Sequence, residues 1–464
     1  MSTMLASNVR VATPSAAKRR PRVLLITYPF PPVGGAGVQR VTKFVKYLPR
    51  HGWDVSVLTV SNPSVPLHDD SLQKDIPAET LVRRARSLEP GYALKASVAS
   101  GTPGPAKGGF KARAKRMVSG PLRRLATFVL QPDPQVLWRP GAVKQGKRLL
   151  AETPHDAIVA SGPPFSTFLI AASLARRSSL PLVLDYRDEW TISNEYWENK
   201  RLDPLSRLIQ QRMQRRVLRA ARAVVATTKA STASLAALVK GTGSAAATAC
   251  IYNGFDPDDF ATPGAPGRPV DGRFKLVYTG TLWNLTSVAP LVEAVKKVCA
   301  AWPDLAGRLD LVFAGRRVGS QAEMLATLRN APCRLIEHHY LDHDAAVRLM
   351  QESDAQCLLL SDLPGVGRVV PAKLFEYMAA ARPMLTIAPR GESWDLLEGY
   401  PGGRFVPGDV DGIANWLAAA IAHRVNSGPE PAHAWDAAVY TRENEARQLA
   451  ELLGSLIGEN VSAG

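Results

Sequence analysis

Residues 22–60 read RVLLITYPFPPVGGAGVQRVTKFVKYLPRHGWDVSVLTV, and this stretch decides the fold class. RVLLIT, residues 22–27, is a short apolar run suited to a parallel strand buried on both faces. A Pro/Gly-rich loop follows. Val38, Val41, Phe44, Val45 and Leu48 then recur at helical spacing, and Gly52 can end that helix in a left-handed cap. Residues 53–60, WDVSVLTV, supply the next strand. Strand, glycine loop, helix, strand is the opening of a doubly wound α/β domain.

Working outward, 156–160, 182–185 and 223–227 are further strand candidates with helical stretches between them. Residues 253–273 are dense in Pro, Gly and Asp and read as a linker. A second β/α series follows at 274–279, 309–314, 334–336, 355–360 and 383–388, so a second parallel sheet is expected. The pattern predicts a closing helix over about 434–458, with Leu449, Leu452, Leu453 and Leu456 as its apolar face. The boundaries are a basic tail at 1–20, read as disordered, a first Rossmann-like domain at 21–260, a linker at 261–273, a second domain at 274–433 and a helix with tail at 434–464. The 464 residues are enough for two or three cores.

Composition narrows the function. Apolar content of 46% with 21% charged residues is globular. No apolar run reaches the length of a membrane span, and the N-terminus lacks an apolar segment of signal-peptide length. Cys250, Cys299, Cys333 and Cys357 form no metal or redox spacing and are expected as buried, reduced thiols in a cytoplasmic protein. The net charge of +16 is unevenly placed: residues 1–260 carry 38 Lys+Arg against 18 Asp+Glu, and the remainder 19 against 23. The first half is therefore expected to meet a polyanion. Zinc-finger spacing and RNA-binding aromatic signatures are absent from the sequence, so nucleic acid is not the expected partner.

Two basic stretches stand out. Residues 83–124 hold eleven Lys/Arg and one acid, Glu89, with Phe110, Met117 and Leu122 interleaved. Residues 207–222 hold six arginines among Leu208, Ile209, Met213, Val217 and Leu218. Both fit amphipathic basic helices lying on an anionic membrane. Solvated faces and a Gly-rich loop are the plainer alternative.

The chemistry-bearing stretch is Pro371-Ala372-Lys373-Leu374-Phe375-Glu376-Tyr377. Pro371 suits a first helical position. Lys373 and Glu376, three apart, share a face. A cation in the first turn favours a phosphate, and a carboxylate one turn deeper can accept hydrogen bonds from ribose hydroxyls. Taken alone, a solvated Lys/Glu pair reads equally well. Gly34, Gly35 and Gly37 can bring backbone N–H groups to a phosphate. The D-x-D at Asp256–Asp258 lies in the linker and reads as turn chemistry, not as a metal site. His338 and His339 are adjacent, which is not a ligand spacing for one helix face.

GGAGVQRVTKFVKYLPRHGWDVSVLT, SGPPFSTFLIAASLARRSSLPLVLDYRDEW, IYNGFDPDDF and PAKLFEYMAAARPML occur in this order. Together they resemble the GT-B glycosyltransferases, most closely family 4, the retaining nucleotide-sugar enzymes. The resemblance spans roughly residues 21–425. It implies two Rossmann-like domains facing a cleft, a C-terminal helix returning to the first domain, and sugar transfer from a nucleotide donor to a saccharide or lipid-linked acceptor. Implied donor-diphosphate residues are Gly34, Gly35, Gly37, Gly280, Thr281, Arg316, Arg317 and Lys373. Glu376 would take the ribose, His339 and Tyr340 the nucleobase, and Arg368 and Val370 the sugar region. Arg187 and Asp188 are the catalytic candidates on the acceptor side, Asp188 as a general base. An Asp–Arg structural pair is the plainer reading of those two.

The resemblance implies no metal and no cofactor, the nucleotide sugar (first expectation, a UDP-sugar) being a co-substrate. It implies a place in polysaccharide or glycoconjugate synthesis, in the cytoplasm or on the inner membrane face.

The sequence departs from the family pattern. Of two glutamates eight positions apart only the second, Glu376, is present, and Arg368 occupies the first position. The diphosphate-neutralising Arg…Lys pair after the GTL-like turn is missing, with Arg316 and Arg317 as substitutes. Arg187 falls where many relatives have histidine. A sugar-nucleotide epimerase, a phosphorylase, or an inactive GT-B module that binds membrane or partner are the competing expectations.

Overall fold

The computed structural model describes residues 19–65, 68–89, 130–190, 203–261, 272–430 and 435–462. Two parallel sheets organise them. The first has seven strands: β1 Arg22–Ile26, β2 Asp54–Val60, β3 Leu81–Ala85, β4 Ala157–Gly162, β5 Leu182–Tyr186, β6 Ala223–Ala226 and β7 Ala247–Cys250, in the order β3-β2-β1-β4-β5-β6-β7. The second has six: β8 Phe274–Thr279, β9 Leu309–Ala314, β10 Arg334–His338, β11 Ala355–Leu359, β12 Met384–Ile387 and β13 Gly402–Phe405, in the order β10-β9-β8-β11-β12-β13. All pairings are parallel. Each sheet reverses its order once, between β1 and β4 and between β8 and β11. Such reversals open a crevice at the carboxyl ends of the strands.

The opening unit forms as read. Val38, Val41, Phe44 and Val45 are buried along the helix Ala36–Tyr47. That helix ends five residues before Gly52: a 3-10 turn, Leu48–His51, intervenes before Gly52 at φ 85° closes it. The closing helix runs Arg442–Ser462, later than expected. It does return to the first domain. Leu449, Leu453 and Leu456 share a core with Val23, Val41, Phe44, Val45 and Val57.

A buried charge network reinforces that return. Arg40 and Asp185 are 3.0 Å apart at 1% and 2% side-chain exposure, and Arg40 also meets Glu445 of the closing helix at 3.5 Å. Arg442 in turn holds Glu445 at 3.0 Å.

Cys333 and Cys357 are buried, whereas Cys250 and Cys299 are only partly so; all four are free thiols. Residues 90–124 of the first basic stretch lie outside the described residues.

Candidate active site

Beyond β8 the chain turns at Gly280, with φ 123°. A Cβ there would lie 2.5 Å from the Lys373 Nζ, and the positive φ itself favours glycine. Gly315, beyond β9, has φ 131°, and a Cβ on it would meet the Gly280 carbonyl at 2.2 Å. Lys373 Nζ also lies 4.0 Å from the centroid of the Tyr278 ring and 2.8 Å from its hydroxyl. The Tyr278 hydroxyl donates to the Thr281 carbonyl at 2.9 Å. Desolvation lowers the Lys373 pKa, with Tyr377 and Glu376 pulling the other way. A single ammonium is thus poised at the second sheet's reversal.

The helix carrying it spans Lys373–Ala379, so Pro371 is not its first residue. Pro371 instead accepts the Leu374 N–H in the preceding turn, at 3.0 Å. Leu374, Phe375, Tyr377 and Met378 are buried, which leaves Lys373 and Glu376 on the less buried side. Glu376 makes no hydrogen bond to a described residue, and its charge reaches Lys373 and His343. Val370 is 6% exposed and packs in one cluster with Leu374 and Phe375.

The two substitute arginines differ. Arg317 is already engaged: its Nε lies 3.4 Å from Glu337 and its Nη1 donates to the His338 carbonyl at 3.1 Å. Arg316 is exposed beside it. The His339 carbonyl accepts the Gly315 N–H at 3.0 Å. Tyr340 crosses to the first domain, donating to Asp69 at 2.9 Å.

In the first domain Gly35 has φ 106° and open space where a side chain would project. Arg187 lies beneath this loop, its guanidinium donating to the carbonyls of Gly37 and Pro163. A Cβ on Gly37 would sit 2.6 Å from that guanidinium. Arg187 therefore braces the glycine loop through backbone carbonyls. Asp188, half-buried, has its pKa raised by desolvation, against the pull of Arg187.

Three groups escaped the sequence reading. Glu189 is buried, accepts from Ser231 and Ser234 at 2.9 and 2.8 Å, and pairs with Arg368 of the second domain at 3.2 Å. Glu392 of the second domain accepts the backbone N–H groups of Lys229 and Ala230 at 2.6 and 2.9 Å, at the start of the helix Lys229–Gly241. Its negative charge suits that helix end. His343 joins Gln39 at 3.0 Å to Asp259 at 2.9 Å. Only Glu189 lay within a quoted motif; the rest have partners far away in sequence.

Asp75, Asp256 and Asp259 form the one carboxylate group among the described residues with metal-like spacing. The Lys43 ammonium fills it, at 2.7, 2.5 and 3.1 Å from the three. Asp256 also accepts the Asp258 N–H at 3.1 Å, as a turn aspartate does.

With this geometry in view, known proteins give the class. Residues 34–254 match the family described as "Glycosyl transferase 4-like domain". No curated protein matches the chain in sequence. Among solved structures, HepE of Anabaena in complex with UDP-glucose is 15% identical with a TM-score of 0.54, covering 96% of this chain and 100% of its own. WaaG, a glycosyltransferase involved in lipopolysaccharide biosynthesis, is 14% identical with a TM-score of 0.52, covering 94% and 98%. A UDP-N-acetylglucosamine 2-epimerase assignment attaches to a Listeria monocytogenes structure at 13% identity and a TM-score of 0.52, covering 94% and 97%. At these identities the likeness establishes the fold. The chain has the GT-B fold, and its residues 34–254 match a glycosyl transferase 4-like domain.

Proposed function

We propose that the protein transfers a sugar, with retention and without a metal, from a nucleotide-sugar donor to a saccharide or lipid-linked acceptor. The observation that carries this reading is the Lys373 ammonium seated on Gly280, with Glu376 one turn further on. Cleavage of the donor places growing negative charge on the diphosphate, and a desolvated ammonium stabilises such charge more than a solvated one. Glu376 offers acceptor oxygens to ribose hydroxyls. The glycine loop at Gly34, Gly35 and Gly37 offers backbone N–H groups from the opposite domain. The leaving phosphate can take the acceptor's proton in a front-face reaction. Asp188, with its raised pKa, is the protein group suited to assist on the acceptor side.

UDP is the expected donor nucleotide, because HepE, of the same fold, is solved with UDP-glucose. The Listeria structure indicates that this fold also accommodates epimerase assignments. The family match over residues 34–254 favours transfer. The second basic stretch forms a helix, Pro204–Ala220, with Leu205 54% and Leu208 41% exposed beside its arginines. This supports peripheral contact with an anionic membrane, where a lipid-linked acceptor would be met, and a role in polysaccharide or glycoconjugate synthesis. No helix among the described residues is long and apolar enough to cross a membrane.

A thermal-shift screen of UDP-, GDP-, ADP- and dTDP-sugars with chelator present tests the reading. Stabilisation by one donor class in chelator supports it. No stabilisation by any of them contradicts it.

A further inference from the structure

At the opposite end of the first sheet from the cleft, a cavity of about 530 Å³ opens where β5, β6 and β7 begin. That volume lies in the range of small-ligand sites. Its walls include Arg176, Arg219, Arg222, Ser179, Thr242 and Ser244, and no acidic residue. Arg176 and Arg222 are exposed, and neither side chain makes an ion pair with a described carboxylate. Arg219 donates to the Thr242 carbonyl at 3.1 Å. More arginines lie near enough to act on Arg176. Desolvation, and then Arg216, Arg139 and Arg177, hold the Arg176 guanidinium below its ordinary pKa.

Helix ends offer a competing explanation. The helices Ser166–Ser178, Pro204–Ala220 and Lys229–Gly241 all finish beside this cavity. Arginines in last turns offset helix dipoles. Each helix end contributes roughly half a negative charge, so three amount to about −1.5. Three wall arginines already exceed that, and Arg216, Arg139 and Arg177 add to the excess. The remaining positive potential faces the cavity, where the guanidinium donors of Arg176 and Arg222 can hold an anion, although Thr242 and Ser244 spend their hydroxyl hydrogens on the carbonyls of Val239 and Leu218.

We propose that this cavity is a binding site for a phosphate-bearing anion, separate from the donor cleft. Planar guanidiniums on several sides favour phosphate oxygens over a single carboxylate. The phosphate could belong to a soluble ligand or to a lipid headgroup, and the chemistry of recognition is the same.

Two probes separate the sources: inorganic pyrophosphate in calorimetry, and flotation with phosphatidylglycerol vesicles. Both are applied to the full chain, to Arg176→Gln/Arg222→Gln and to Arg176→Lys/Arg222→Lys. Both positions are exposed, so the melting temperature should hold. The expected result is saturable binding that weakens at least roughly tenfold in the glutamine variant, is largely kept in the lysine variant, and falls with salt. Loss of pyrophosphate binding alone identifies a soluble phosphate ligand. Loss of flotation alone identifies a headgroup. UDP-sugar stabilisation should be unchanged in every variant, which keeps this test independent of the donor site. If wild type and the glutamine variant behave alike towards both probes, the proposal is wrong.

Discussion

The Arg368 guanidinium of the second domain lies 3.2 Å from the Glu189 carboxylate of the first, across the cleft. Glu189 is 3% exposed and Arg368 38%. Arg368, which the resemblance placed where a glutamate was expected, is thus turned to the opposite domain. Arg368→Ala leaves Glu189 with its two serine donors, so the expected loss is about 1 kcal/mol, after allowing for solvent at Arg368. Arg368→Glu should cost more, by setting two carboxylates face to face. The swap Arg368→Glu/Glu189→Arg should recover part of that loss. Urea unfolding of wild type, Arg368→Glu, Glu189→Arg and the swap, as a double-mutant cycle, measures the coupling.

Lys373 sets an alkaline limit. Its pKa is lowered by desolvation, so in the free protein it sheds its proton below the ordinary lysine range. Binding that needs the ammonium should weaken as pH rises through that lowered value. Lys373→Arg should move the limit upward or remove it, because guanidinium does not titrate there. UDP titrations from pH 7 to pH 10 check this expectation.

His343 works in the other direction. Burial lowers its pKa, but Asp259 and Glu376 outweigh burial and the net shift is upward. A folded pKa above the unfolded value gives stability that is complete below about pH 6.5, the unfolded value, and lost as pH rises through the folded one. The groups facing it are Gln39, Asp259, Glu376 and Lys43. His343→Gln should flatten this component of the stability–pH curve between pH 5 and pH 9, as read by denaturation midpoints.

Arg40 is a core residue despite its charge. It holds Asp185, and donates to the carbonyls of Ile251 and Tyr252 at 3.0 Å each. Arg40→Met leaves Asp185 without a counter-charge in the interior, while Glu445 keeps Arg442, at an expected cost of about 3–5 kcal/mol. Chemical denaturation should register it as a large fall in midpoint.

Much of this architecture was legible because strands buried on both faces read as apolar runs: RVLLI in β1 and FKLVYT in β8 are cases. The missed strands lack that signal. β3, LVRRA, is an edge strand with Leu81 and Val82 exposed. β7 is ATAC, made of small residues, and β13 opens with two glycines. At the site, Lys373 and the Gly280 turn were brought together by the family resemblance, which put both at the diphosphate. The bracing of Gly37 by Arg187 was not legible, because the arginine spends its donors on backbone carbonyls that no side-chain pattern reveals. Nor were Arg368–Glu189 or Glu392 with Lys229, whose members lie 179 and 163 residues apart.

The most direct measurement is turnover of a radiolabelled UDP-sugar by the purified protein in chelator, with Lys373→Ala and Glu376→Gln beside it. The account predicts slow release of UDP by the wild type, and losses of roughly a hundredfold or more in Lys373→Ala, whose ammonium would stabilise the leaving diphosphate. Glu376→Gln should raise KM more than it lowers kcat, since the ribose contact is present before and during reaction. Wild-type turnover that persists unchanged in both variants would contradict it.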